Sequence, residues 1–467
     1  MEAALTSSSG ERYRDLSLWW DRLPGSLAVR PPLAGDTEAD VAIVGAGLTG
    51  LWTAYYLAGA DPALRIAVVE RHVAGFGASG RNGGWCSALF AASEDRLERE
   101  AGAGAGAAMR RAMESTVDEV GRVVGAEHIE CGFAAGGTVV LARTGVQLQR
   151  TRDEVAAARA RGIGEDGLRL LSASEASAMV GATDVLGGTY TPHCAAVDPA
   201  RLVRGLAEVV ERRGATIYEQ TAARAVRPGA VDTERGTVRA PVVVRATEGY
   251  TRSLEGEVRT LAPVYSLMIA TEPLPDAFWE EAGLSRRETF ADHRHLIIYG
   301  QRTDDGRMAF GGRGAPYHFG SAIRPEFDRD RGVHESLRSA LVELFPALAG
   351  AEVTHRWGGP LGIARDWFPS VGLDRATGRA WAGGYIGDGV STTNLAGRTL
   401  CDLILGRDTG LTSLPWVGHR SKRWEPEPLR YVGINAGLRL AGSADRAEER
   451  TGRATWRSRA LGRMLGG

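Results

Sequence analysis

Residues 41–50 read VAIVGAGLTG, and this stretch decides the fold of the 467-residue chain. Its first four residues are apolar, which is the pattern of a short strand buried on both faces. Residues 45–50 then fit G-x-G-x-x-G, and residues 51–58 have the composition of a helix that leaves the turn. A second apolar run, residues 65–69, ends at Glu70. Strand, glycine turn, helix, strand and acid together form the complete fingerprint of a dinucleotide-binding unit.

Each residue type in this fingerprint has a physical role. Gly45 allows the tight turn, Gly47 lets a pyrophosphate approach the backbone, and Gly50 lets the helix pack closely on the strand. The first helical turn presents unpaired N–H groups and a partial positive charge, and both favour a phosphate. Glu70 can accept hydrogen bonds from ribose hydroxyls and would repel a 2′-phosphate, so the sequence disfavours NADP.

Composition is that of an ordinary globular protein and excludes several classes of function. The formal net charge is −1, which argues against a nucleic-acid partner. The four cysteines form no C-x-x-C pair, so neither a zinc ribbon nor a redox motif is indicated. No apolar run reaches the roughly 20 residues that span a bilayer, and residues 1–15 lack the apolar core of a signal peptide. We therefore expect no transmembrane segment and a cytoplasmic location.

A second glycine-rich stretch, residues 75–85, reads GFGASGRNGGW. Its many glycines suit neither a helix nor a strand interior, and they indicate a loop that lies against something flat or charged. GFGASGRNGG resembles the flavin-contacting segment of the D-amino-acid-oxidase-like superfamily of FAD enzymes, in particular the branch that contains gamma-glutamylputrescine oxidase. The resemblance covers about residues 40–405 and implies that residues 75–85 pass beside the isoalloxazine ring.

Two further blocks resemble the same superfamily. Residues 198–250 resemble the block VDP…L…G…ATxxY, which implies that Val226 lies by the adenine and residues 246–249 by the diphosphate. Residues 383–389, GGYIGDG, precede a helix whose N-terminus would point at the N1–C2=O edge of the flavin. The family usually has a histidine where this chain has Asp388, so we expect the backbone rather than this side chain to act.

The resemblance implies FAD as the cofactor, bound without a covalent link. Relatives that attach the flavin covalently use a Cys near Gly359 or a His near Trp85; this chain has neither, and Cys86 does not match that pattern. The expected cofactor contacts lie in the glycine-rich segments or at the ends of neighbouring strands. They are Gly45, Gly47, Leu48, Thr49, Gly50, Glu70, Arg71, Ala78, Ser79, Arg81, Asn82, Gly83, Gly84, Trp85, Val226, Thr247, Gly384, Gly387, Asp388, Gly389 and Val390.

These blocks predict an α/β fold, α+β overall, in which a Rossmann-like FAD-binding domain is interleaved with a mixed-sheet substrate domain. Each domain is therefore expected to consist of several separate stretches of the chain. In chain order they are an N-terminal arm (1–39), the first FAD-binding segment (40–93), a helical segment that begins the substrate domain (94–195), the second FAD-binding segment (196–256), the second substrate segment (257–356), the third FAD-binding segment (357–408) and a C-terminal tail (409–467).

Residues 357–372 indicate the substrate class. In the resembled amino-acid oxidisers this segment reads like W-x-G-x-R-P-x-T-x-D-x-x-P-x-I-G, and its arginine binds the substrate carboxylate. Here the segment aligns without a gap, and Leu361 stands where the arginine belongs. A leucine cannot form the two-pronged carboxylate pair, so a simple α-amino acid is disfavoured, and an amine whose carboxylate is far away or absent is favoured.

The electron acceptor is left open between oxygen and another acceptor. The sarcosine oxidases that this chain resembles use a lysine above the flavin to promote reaction with oxygen. The single lysine of this chain, Lys422, lies in the C-terminal tail. The oxygen-promoting group is therefore missing unless an arginine or a histidine replaces it.

The predicted substrate domain supplies the candidates for the pocket wall. The sequence DDG at residues 304–306 predicts a hairpin whose first strand is residues 295–302. Alternation along this strand places His295 and Tyr299 on one face. The resemblance implies that the sheet covers the flavin, so His295, Tyr299 and Tyr265 are the candidate catalytic residues.

The function that we expect is oxidation of the C–N bond of a primary or secondary amine, polyamine-derived or N-substituted, by hydride transfer to flavin, which gives an imine and then an aldehyde. Two alternatives stay open. One is a 2-hydroxy-acid or glycerol-phosphate dehydrogenase, for which His293, His295 and Arg313 would supply a base and an anion clamp. The other is a catalytically degenerate flavoprotein with a binding role, suggested by Leu361 and Asp388.

The two ends of the chain carry weaker patterns. Trp19 and Trp20 predict that the N-terminal arm packs on the domain surface. Residues 439–463 are rich in arginine, and with Leu461 and Met464 they could form a basic amphipathic helix on a membrane surface or a partner. We favour a solvated surface helix, because acidic residues dilute the charge.

Overall fold

The computed structural model describes residue 10 and residues 12–457, except the side chains of Arg313 and Glu449. These residues form short 3-10 segments, α-helices and strands. The helices are α1 (Leu18–Asp21), α2 (Leu48–Ala60), α3 (Glu94–Ala101), α4 (Ala105–Ala126), α5 (Gly145–Ala160), α6 (Ala173–Met179), α7 (Pro199–Arg212), α8 (Asp276–Ala282), α9 (Arg331–Leu344), α10 (Gly389–Leu405) and α11 (Leu429–Thr451). The strands are β1 (Thr37–Glu38), β2 (Val41–Val44), β3 (Ile66–Val69), β4 (Trp85–Ser87), β5 (Thr138–Ala142), β6 (Arg169–Leu171), β7 (Gly187–Thr191), β8 (Cys194–Ala196), β9 (Thr216–Tyr218), β10 (Ala223–Arg227), β11 (Ala230–Thr233), β12 (Thr237–Arg239), β13 (Val242–Arg245), β14 (Ala262–Thr271), β15 (Thr289–Asp292), β16 (Ile298–Arg302), β17 (Met308–Arg313), β18 (Val353–Ile363), β19 (Ser370–Asp374) and β20 (Arg379–Gly383).

The first large sheet has six strands in the order β19-β20-β13-β2-β3-β9. The strands from β20 to β9 run parallel, and β19 pairs antiparallel with β20 at one edge. Strands β2 and β3 are buried along their whole length. Their four residues are all apolar, as is typical of a parallel strand covered on both faces. Parallel strands that alternate with helices form a dinucleotide-binding sheet, so the predicted α/β fold class is confirmed.

Helices α2 and α10 follow two of these parallel strands, and they pack against each other. A Cβ on Gly397 of α10 would lie 2.7 Å from the backbone of Trp52 in α2, so the glycine permits this close contact. Leu395 and Leu400 extend the shared apolar cluster. Because both helices start at the carboxyl ends of parallel strands, their N-termini lie at the same edge of the sheet.

The second large sheet is mixed and has eight strands in the order β18-β14-β17-β16-β15-β5-β7-β6. Its register decides which side chains share a face. Gly311 lies opposite Met268 on one side and Tyr299 on the other, and Met268 lies opposite Trp357. These four residues therefore lie on one face, which we call the inner face, and Tyr265 lies on the other face.

Two local features differ from the sequence-based expectation. Residues 94–125 are rich in alanine, glutamate and arginine, a composition that predicts one helix weakened by its glycines. In the structure they are divided into α3 and α4, because Gly102 and Gly104 adopt φ values of +96° and +86°. Strand β18 continues to Ile363, so it crosses the expected segment boundary at residue 357. The other segment boundaries stay predictions.

Helix α1 of the N-terminal arm packs against the glycine-rich loop and the inner face of the eight-stranded sheet. Trp19 and Trp20 are buried, and the indole N–H of Trp19 donates to the carbonyl oxygen of Asn82 at 2.9 Å. The Trp19 ring meets the Trp357 ring edge-on at 6.2 Å. The arm thus contacts the glycine-rich loop and the inner face together.

Helix α11 is bonded to the loop that precedes β16. Asp445 accepts hydrogen bonds from the backbone N–H groups of His295 and Leu296 at 2.7 and 2.8 Å. The tail residues Leu461 and Met464 lie outside the described residues. Over the stretch of the chain that the structure describes, the helices are too short or too polar to cross a membrane.

Candidate cofactor and substrate site

A cleft opens at the carboxyl edge of the six-stranded sheet, where β2, β3 and β13 end and helices α2 and α10 begin. The space inside it, including its open mouth, is about 1130 Å³. Several expected cofactor contacts line this cleft: Gly45, Gly47, Leu48, Thr49, Glu70, Arg71, Ala78, Ser79, Asn82, Thr247, Gly387, Gly389 and Val390. Other described residues among the expected contacts lie outside the lining: Gly50, Arg81, Gly83, Gly84, Trp85, Val226, Gly384 and Asp388.

The glycine turn approaches its neighbours too closely for side chains. Gly45 has a φ of +108°, and a Cβ there would lie 2.5 Å from the carbonyl oxygen of Ala246. A Cβ on Gly50 would lie 2.0 Å from the carbonyl oxygen of Gly45. A Cβ on Gly47 would lie 2.8 Å from the hydroxyl of Ser79. The turn therefore offers bare backbone to the cleft, which is what a pyrophosphate requires.

Ser79 fastens the glycine-rich loop to the N-terminus of α2. Its hydroxyl oxygen accepts a hydrogen bond from the backbone N–H of Leu48 at 2.8 Å. This bond uses one of the N–H groups that the sequence analysis assigned to a phosphate. The hydroxyl lies in the cleft lining, so Ser79 joins two walls of the cleft at the turn.

The Glu70 carboxylate is bonded to the backbone on both oxygens. Oε2 accepts from the N–H of Ala46 at 3.0 Å, and Oε1 accepts from the N–H of His72 at 2.9 Å. Burial raises the pKa of Glu70 to about 7, although these two N–H groups favour the charged form. Each carboxylate oxygen keeps a second lone pair, so the predicted ribose contact is compatible with this geometry.

The turn before α10 brings a second helix N-terminus to the cleft. Gly387 has a φ of +108°, and Ile386 has a φ of +60°, a rare value for a β-branched residue. The hydroxyl of Tyr385 lies 3.0 Å from the hydroxyl of Thr49, which joins this turn to α2. The backbone and the positive end of the α10 dipole therefore face the cleft.

Glu248 lies in the cleft lining, within the residues 246–249 that the resemblance places by the diphosphate, but the role of its side chain was not predicted. Its Oε2 accepts from the N–H of Gly384 at 2.8 Å, and its Oε1 accepts from the N–H groups of Gly362 and Tyr385 at 3.2 and 3.3 Å. Burial raises its pKa to about 7. One carboxylate thus bonds the loop after β13, the end of β18 and the turn before α10. The acid in residues 247–250, TEGY, was visible in the sequence. Its role was not, because the residues that it bonds lie more than 100 positions away along the chain.

The glycine-rich loop also lies against the inner face of the eight-stranded sheet. A Cβ on Gly83 would lie 2.5 Å from the ring of Tyr299. The rings of Trp85 and Tyr299 meet edge-on at 6.0 Å, and the hydroxyl of Tyr299 lies 2.9 Å from that of Ser266. Among the three candidate catalytic residues, Tyr299 is the one placed beside this loop.

Tyr265 is separated from Tyr299 by the sheet. It is buried on the opposite face, where its ring meets those of His318 and Phe327 at right angles. Burial raises the pKa of its hydroxyl. The register places Tyr265 and Tyr299 on different faces, so the expectation that both line one pocket is wrong.

His295 lies outside the strand predicted for it, because β16 begins at Ile298. Its Nε2 lies 2.8 Å from Nη2 of Arg150 and 3.1 Å from Oε1 of Glu448, and its backbone N–H is bonded to Asp445. Helix α11 supplies these carboxylates, so the backbone of His295 and Leu296 bonds to the helix instead of continuing the ladder. His295 therefore belongs to an ion-pair network away from the cleft.

The end of β18 forms the wall opposite the glycine turn. Leu361 lies opposite Val264 in the sheet, and both Leu361 and Pro360 line the cleft. The indole N–H of Trp357 donates to the carbonyl oxygen of Arg81 at 2.9 Å, which fixes β18 against the glycine-rich loop. The position at which the resembled amino-acid oxidisers carry an arginine thus presents an apolar side chain to the cleft.

The shape and the donor set of the cleft fit FAD. The bare backbone at Gly45 and Gly47 and the two helix N-termini suit a pyrophosphate. Glu70 suits a ribose, and the apolar and aromatic lining at Phe76 and Leu361 suits flat ring systems.

Comparison with known proteins agrees with this fit. The DAO family model, described as FAD dependent oxidoreductase, matches residues 40–403. A protein named "Probable oxidoreductase OrdL" from Rhizobium meliloti (strain 1021) is 30% identical over 409 residues, which cover 85% of this chain and 90% of that protein. Gamma-glutamylputrescine oxidoreductase from Escherichia coli (strain K12) is 29% identical over 378 residues, which cover 79% of this chain and 84% of that protein.

Solved structures share the fold. Glycine oxidase from Geobacillus kaustophilus superposes with a TM-score of 0.67 at 23% identity, over 83% of this chain and 100% of that one. L-proline dehydrogenase from P. horikoshii superposes with a TM-score of 0.65 at 18% identity, over 82% of this chain and 98% of that one. At these identities the likeness concerns the fold alone.

Proposed function

Because the chain belongs to the DAO family of FAD-dependent oxidoreductases, we propose that it oxidises the C–N bond of a primary or secondary amine, with polyamine-derived or N-substituted amines as the substrate class. The predicted family and the FAD cofactor are confirmed by the family match. The name of the gamma-glutamylputrescine oxidoreductase relative, which is 29% identical, supports an amine substrate.

The observation that carries the proposal is Leu361. Its side chain lines the cleft and belongs to an apolar cluster with Val264 and Ile386. An apolar wall accommodates an uncharged substituent and leaves a carboxylate without a partner, which is costly in a buried site. This supports an amine whose carboxylate is distant from the reacting carbon or absent.

When bound, FAD supplies the acceptor for the hydride that leaves the carbon next to the amine nitrogen. The chain binds and orients the amine. We propose that the hydroxyls of Tyr299 and Ser266, which lie 2.9 Å apart on the inner face beside the glycine-rich loop, form hydrogen bonds with an uncharged nitrogen. The positive end of α10 favours negative charge that develops in the cleft. The imine product is then hydrolysed by water to an aldehyde and an amine or ammonia.

The cofactor is proposed to be dissociable and the electron acceptor to be oxygen or another oxidant. Cys86, the cysteine nearest the glycine-rich loop in sequence, is buried outside the cleft lining. Lys422 is exposed, in the segment between α10 and α11. Release of free FAD after denaturation and ultrafiltration, and hydrogen peroxide release on turnover, test these two statements.

An anaerobic flavin-reduction screen tests the function. We expect the yellow protein to be bleached by polyamine derivatives or secondary amines, and to resist glycine and 2-hydroxy acids. Bleaching by hydroxy acids alone would overturn the proposal in favour of a hydroxy-acid dehydrogenase. Reduction by dithionite but by no organic substrate would instead identify a degenerate flavoprotein.

The hydroxy-acid alternative gains no support from the described residues that were its candidates. His295 is bonded to helix α11, and the carbonyl oxygen of His293 accepts from Arg150 at 2.9 Å. Neither histidine lines the cleft. The side chain of Arg313 lies outside the description.

A further inference from the structure

The outer side of helix α11 carries exposed apolar and exposed basic residues along one stripe. Val432, Ala436, Arg439, Arg446 and Arg450 are all exposed, at spacings of three, four or seven residues. Residues at these spacings lie on one side of a helix. The stripe is apolar where the helix begins and basic where it ends.

The apolar end of this stripe belongs to a larger exposed patch. Phe319, Leu429 and Val432 are each at least 60% exposed, and Tyr431 is 41% exposed. The rings of Phe319 and Tyr431 meet edge-on at 5.8 Å, so the loop and the helix form one surface. Trp456, 65% exposed, follows the helix. Clustered exposed apolar residues of this size mark an interaction surface.

Near the C-terminal end of helix α11, the described acidic and basic side chains lie on different sides. Asp445 bonds the backbone of the loop before β16, and Glu448 forms an ion pair with Arg150, so these two acids, whose side chains the structure describes, point inward. Arg446 and Arg450 point outward and are exposed. The outer side therefore presents positive charge next to apolar side chains, although the net charge of the whole chain is −1.

We propose that this surface, the C-terminal face, binds an anionic lipid bilayer at its headgroup level. The C-terminal face comprises Phe319, Leu429, Tyr431, Val432, Ala436, Arg439, Arg446, Arg450, Arg453 and Trp456. Its apolar residues would enter the boundary between headgroups and acyl chains, and its arginines would meet the lipid phosphates. Residues 458–467 add two arginines and no acid to the sequence at this end.

A second copy of the chain is a poorer occupant. In a two-fold dimer the same patch of both copies meets. Either the arginine ends of the two stripes lie near each other and repel, or the apolar end of each stripe is only half covered. An anionic lipid surface instead complements both ends of the face at once.

The C-terminal face lies behind the candidate substrate wall. Ile434, within one turn of the exposed apolar residues, packs in the same cluster as Leu361 and Ile386. Trp424, just before the helix, is buried in that cluster, and its indole N–H donates to the carbonyl oxygen of Ile363 at 2.7 Å. A bilayer bound here would therefore be next to the apolar end of the cleft.

Vesicle co-sedimentation of the full-length, FAD-loaded protein tests the proposal. We expect the protein to pellet with vesicles of phosphatidylcholine and phosphatidylglycerol at low salt, and to be released at high salt. Vesicles of phosphatidylcholine alone should bind it far less. Failure to pellet with either composition overturns the proposal, and so does equal pelleting with both.

Two sets of variants locate the contact. Leu429→Ser with Val432→Ser should lower the vesicle partition coefficient by about tenfold, and each of Arg439→Gln and Arg450→Gln by about fivefold. The matched control, Leu89→Ser with Leu186→Ser, removes exposed leucines elsewhere and should leave binding unchanged. Retained FAD absorbance shows that each variant is folded.

Equal loss in the control and the helix variants would overturn the assignment. Gel filtration without lipid completes the test. A dimer that Val432→Ser converts to a monomer would show that the face is a self-interface, which also overturns the proposal.

Discussion

At the scale of single residues, Glu248 is the group whose charge state most directly affects the site. Three backbone N–H groups from two distant segments bond its carboxylate, and burial raises its pKa to about 7. An acid whose pKa is higher in the folded than in the unfolded protein binds more protons when folded. Its contribution to stability is therefore full below its unfolded pKa and is lost as the pH rises through the folded value.

We predict that titration of Glu248 lowers the free energy of unfolding of the apo protein by about 2 kcal/mol as the pH rises from about 5 to about 8. Glu248→Gln should remove this share of the slope, at the cost of lower stability at acid pH, because its amide NH2 cannot accept from Gly384. Urea unfolding at several pH values measures both effects.

Glu70→Gln provides the comparison, since burial also raises the pKa of Glu70 to about 7. It should remove a similar share of the slope. If the two variants keep the wild-type slope, neither carboxylate is the buried acid that the geometry indicates.

Leu361 is the residue at which substrate class should be most easily changed. In Leu361→Arg a guanidinium would replace an apolar side chain in the cleft lining, and a guanidinium can hold a carboxylate with two parallel hydrogen bonds. We predict that the variant is reduced by N-methylglycine at concentrations at least about tenfold lower than the wild type requires, and that cationic polyamine derivatives reduce it more slowly.

Anaerobic titration of flavin absorbance measures this change, and Leu361→Met is the control for altered shape without charge. The role given to Leu361 is wrong if Leu361→Met gains the same reactivity, or if Leu361→Arg binds FAD but gains none.

Residue identity alone could not decide which tyrosine lies beside the glycine-rich loop. Alternation along a strand is local, and it correctly separates neighbouring residues onto two faces. The relation between Tyr265 and Tyr299 also depends on the register of β17 between their strands, which local sequence does not specify. His295 was misassigned for a similar reason, because Asp445 lies 150 residues away.

At the scale of elements, the N-terminus of α2 is the junction on which the cleft depends. Ser79 caps this helix from the glycine-rich loop by accepting from Leu48. Ser93 caps helix α3 in the ordinary way, by accepting from the N–H of Arg96 at 3.3 Å. Both serines cap a helix, but only Ser79 also lines the cleft. Comparing substitutions of the two serines therefore distinguishes the effect of losing a cap from an effect on the cleft.

We predict that Ser79→Ala and Ser93→Ala each lower the free energy of unfolding by about 1 kcal/mol, because each removes a helix cap. Only Ser79→Ala should also weaken FAD binding, by about fivefold or more, since the loop is then free to move from the helix N-terminus. Denaturation of the apo proteins and FAD titration by fluorescence measure the two quantities. Equal FAD affinities in both variants would contradict the role given to Ser79.

Elements with strong local signals were predicted well. DDG at residues 304–306 predicts a hairpin, and β16 and β17 flank these residues as antiparallel neighbours. The fingerprint predicted β2, α2 and β3 in order. The break between α3 and α4 shows the limit, because composition favours one helix while two glycines with positive φ end it.

At the scale of the whole molecule, a buried ion pair joins the glycine-rich loop, which follows β3 of the first sheet, to the 3-10 segment Pro325–Arg329, which packs on the second sheet. The guanidinium of Arg81 in the glycine-rich loop lies 2.8 Å from Asp328 and is only 2% exposed. It also donates to the hydroxyl of Tyr250 at 2.7 Å and to the carbonyl oxygen of Gly358 at 3.1 Å. Tyr250 lies in the segment after β13, and Gly358 lies in β18. Asp328 lies in the 3-10 segment Pro325–Arg329, which packs on the eight-stranded sheet. No sequence pattern indicated this pairing, because its members lie 247 residues apart.

Asp328→Asn tests whether this pair holds the two sheets together. The substitution leaves a cation buried with only neutral partners, so we predict a loss of about 3 kcal/mol in the free energy of unfolding. The control is Asp232→Asn, whose partner Arg227 is 66% exposed and whose removal should cost less than about 1 kcal/mol. Because Arg81 also bonds residues beside the cleft, FAD should protect Asp328→Asn less than the wild type against thermal unfolding. Comparable losses in the two variants would mean that apolar contacts hold the sheets together, and that the Arg81 pair contributes no more than an exposed one.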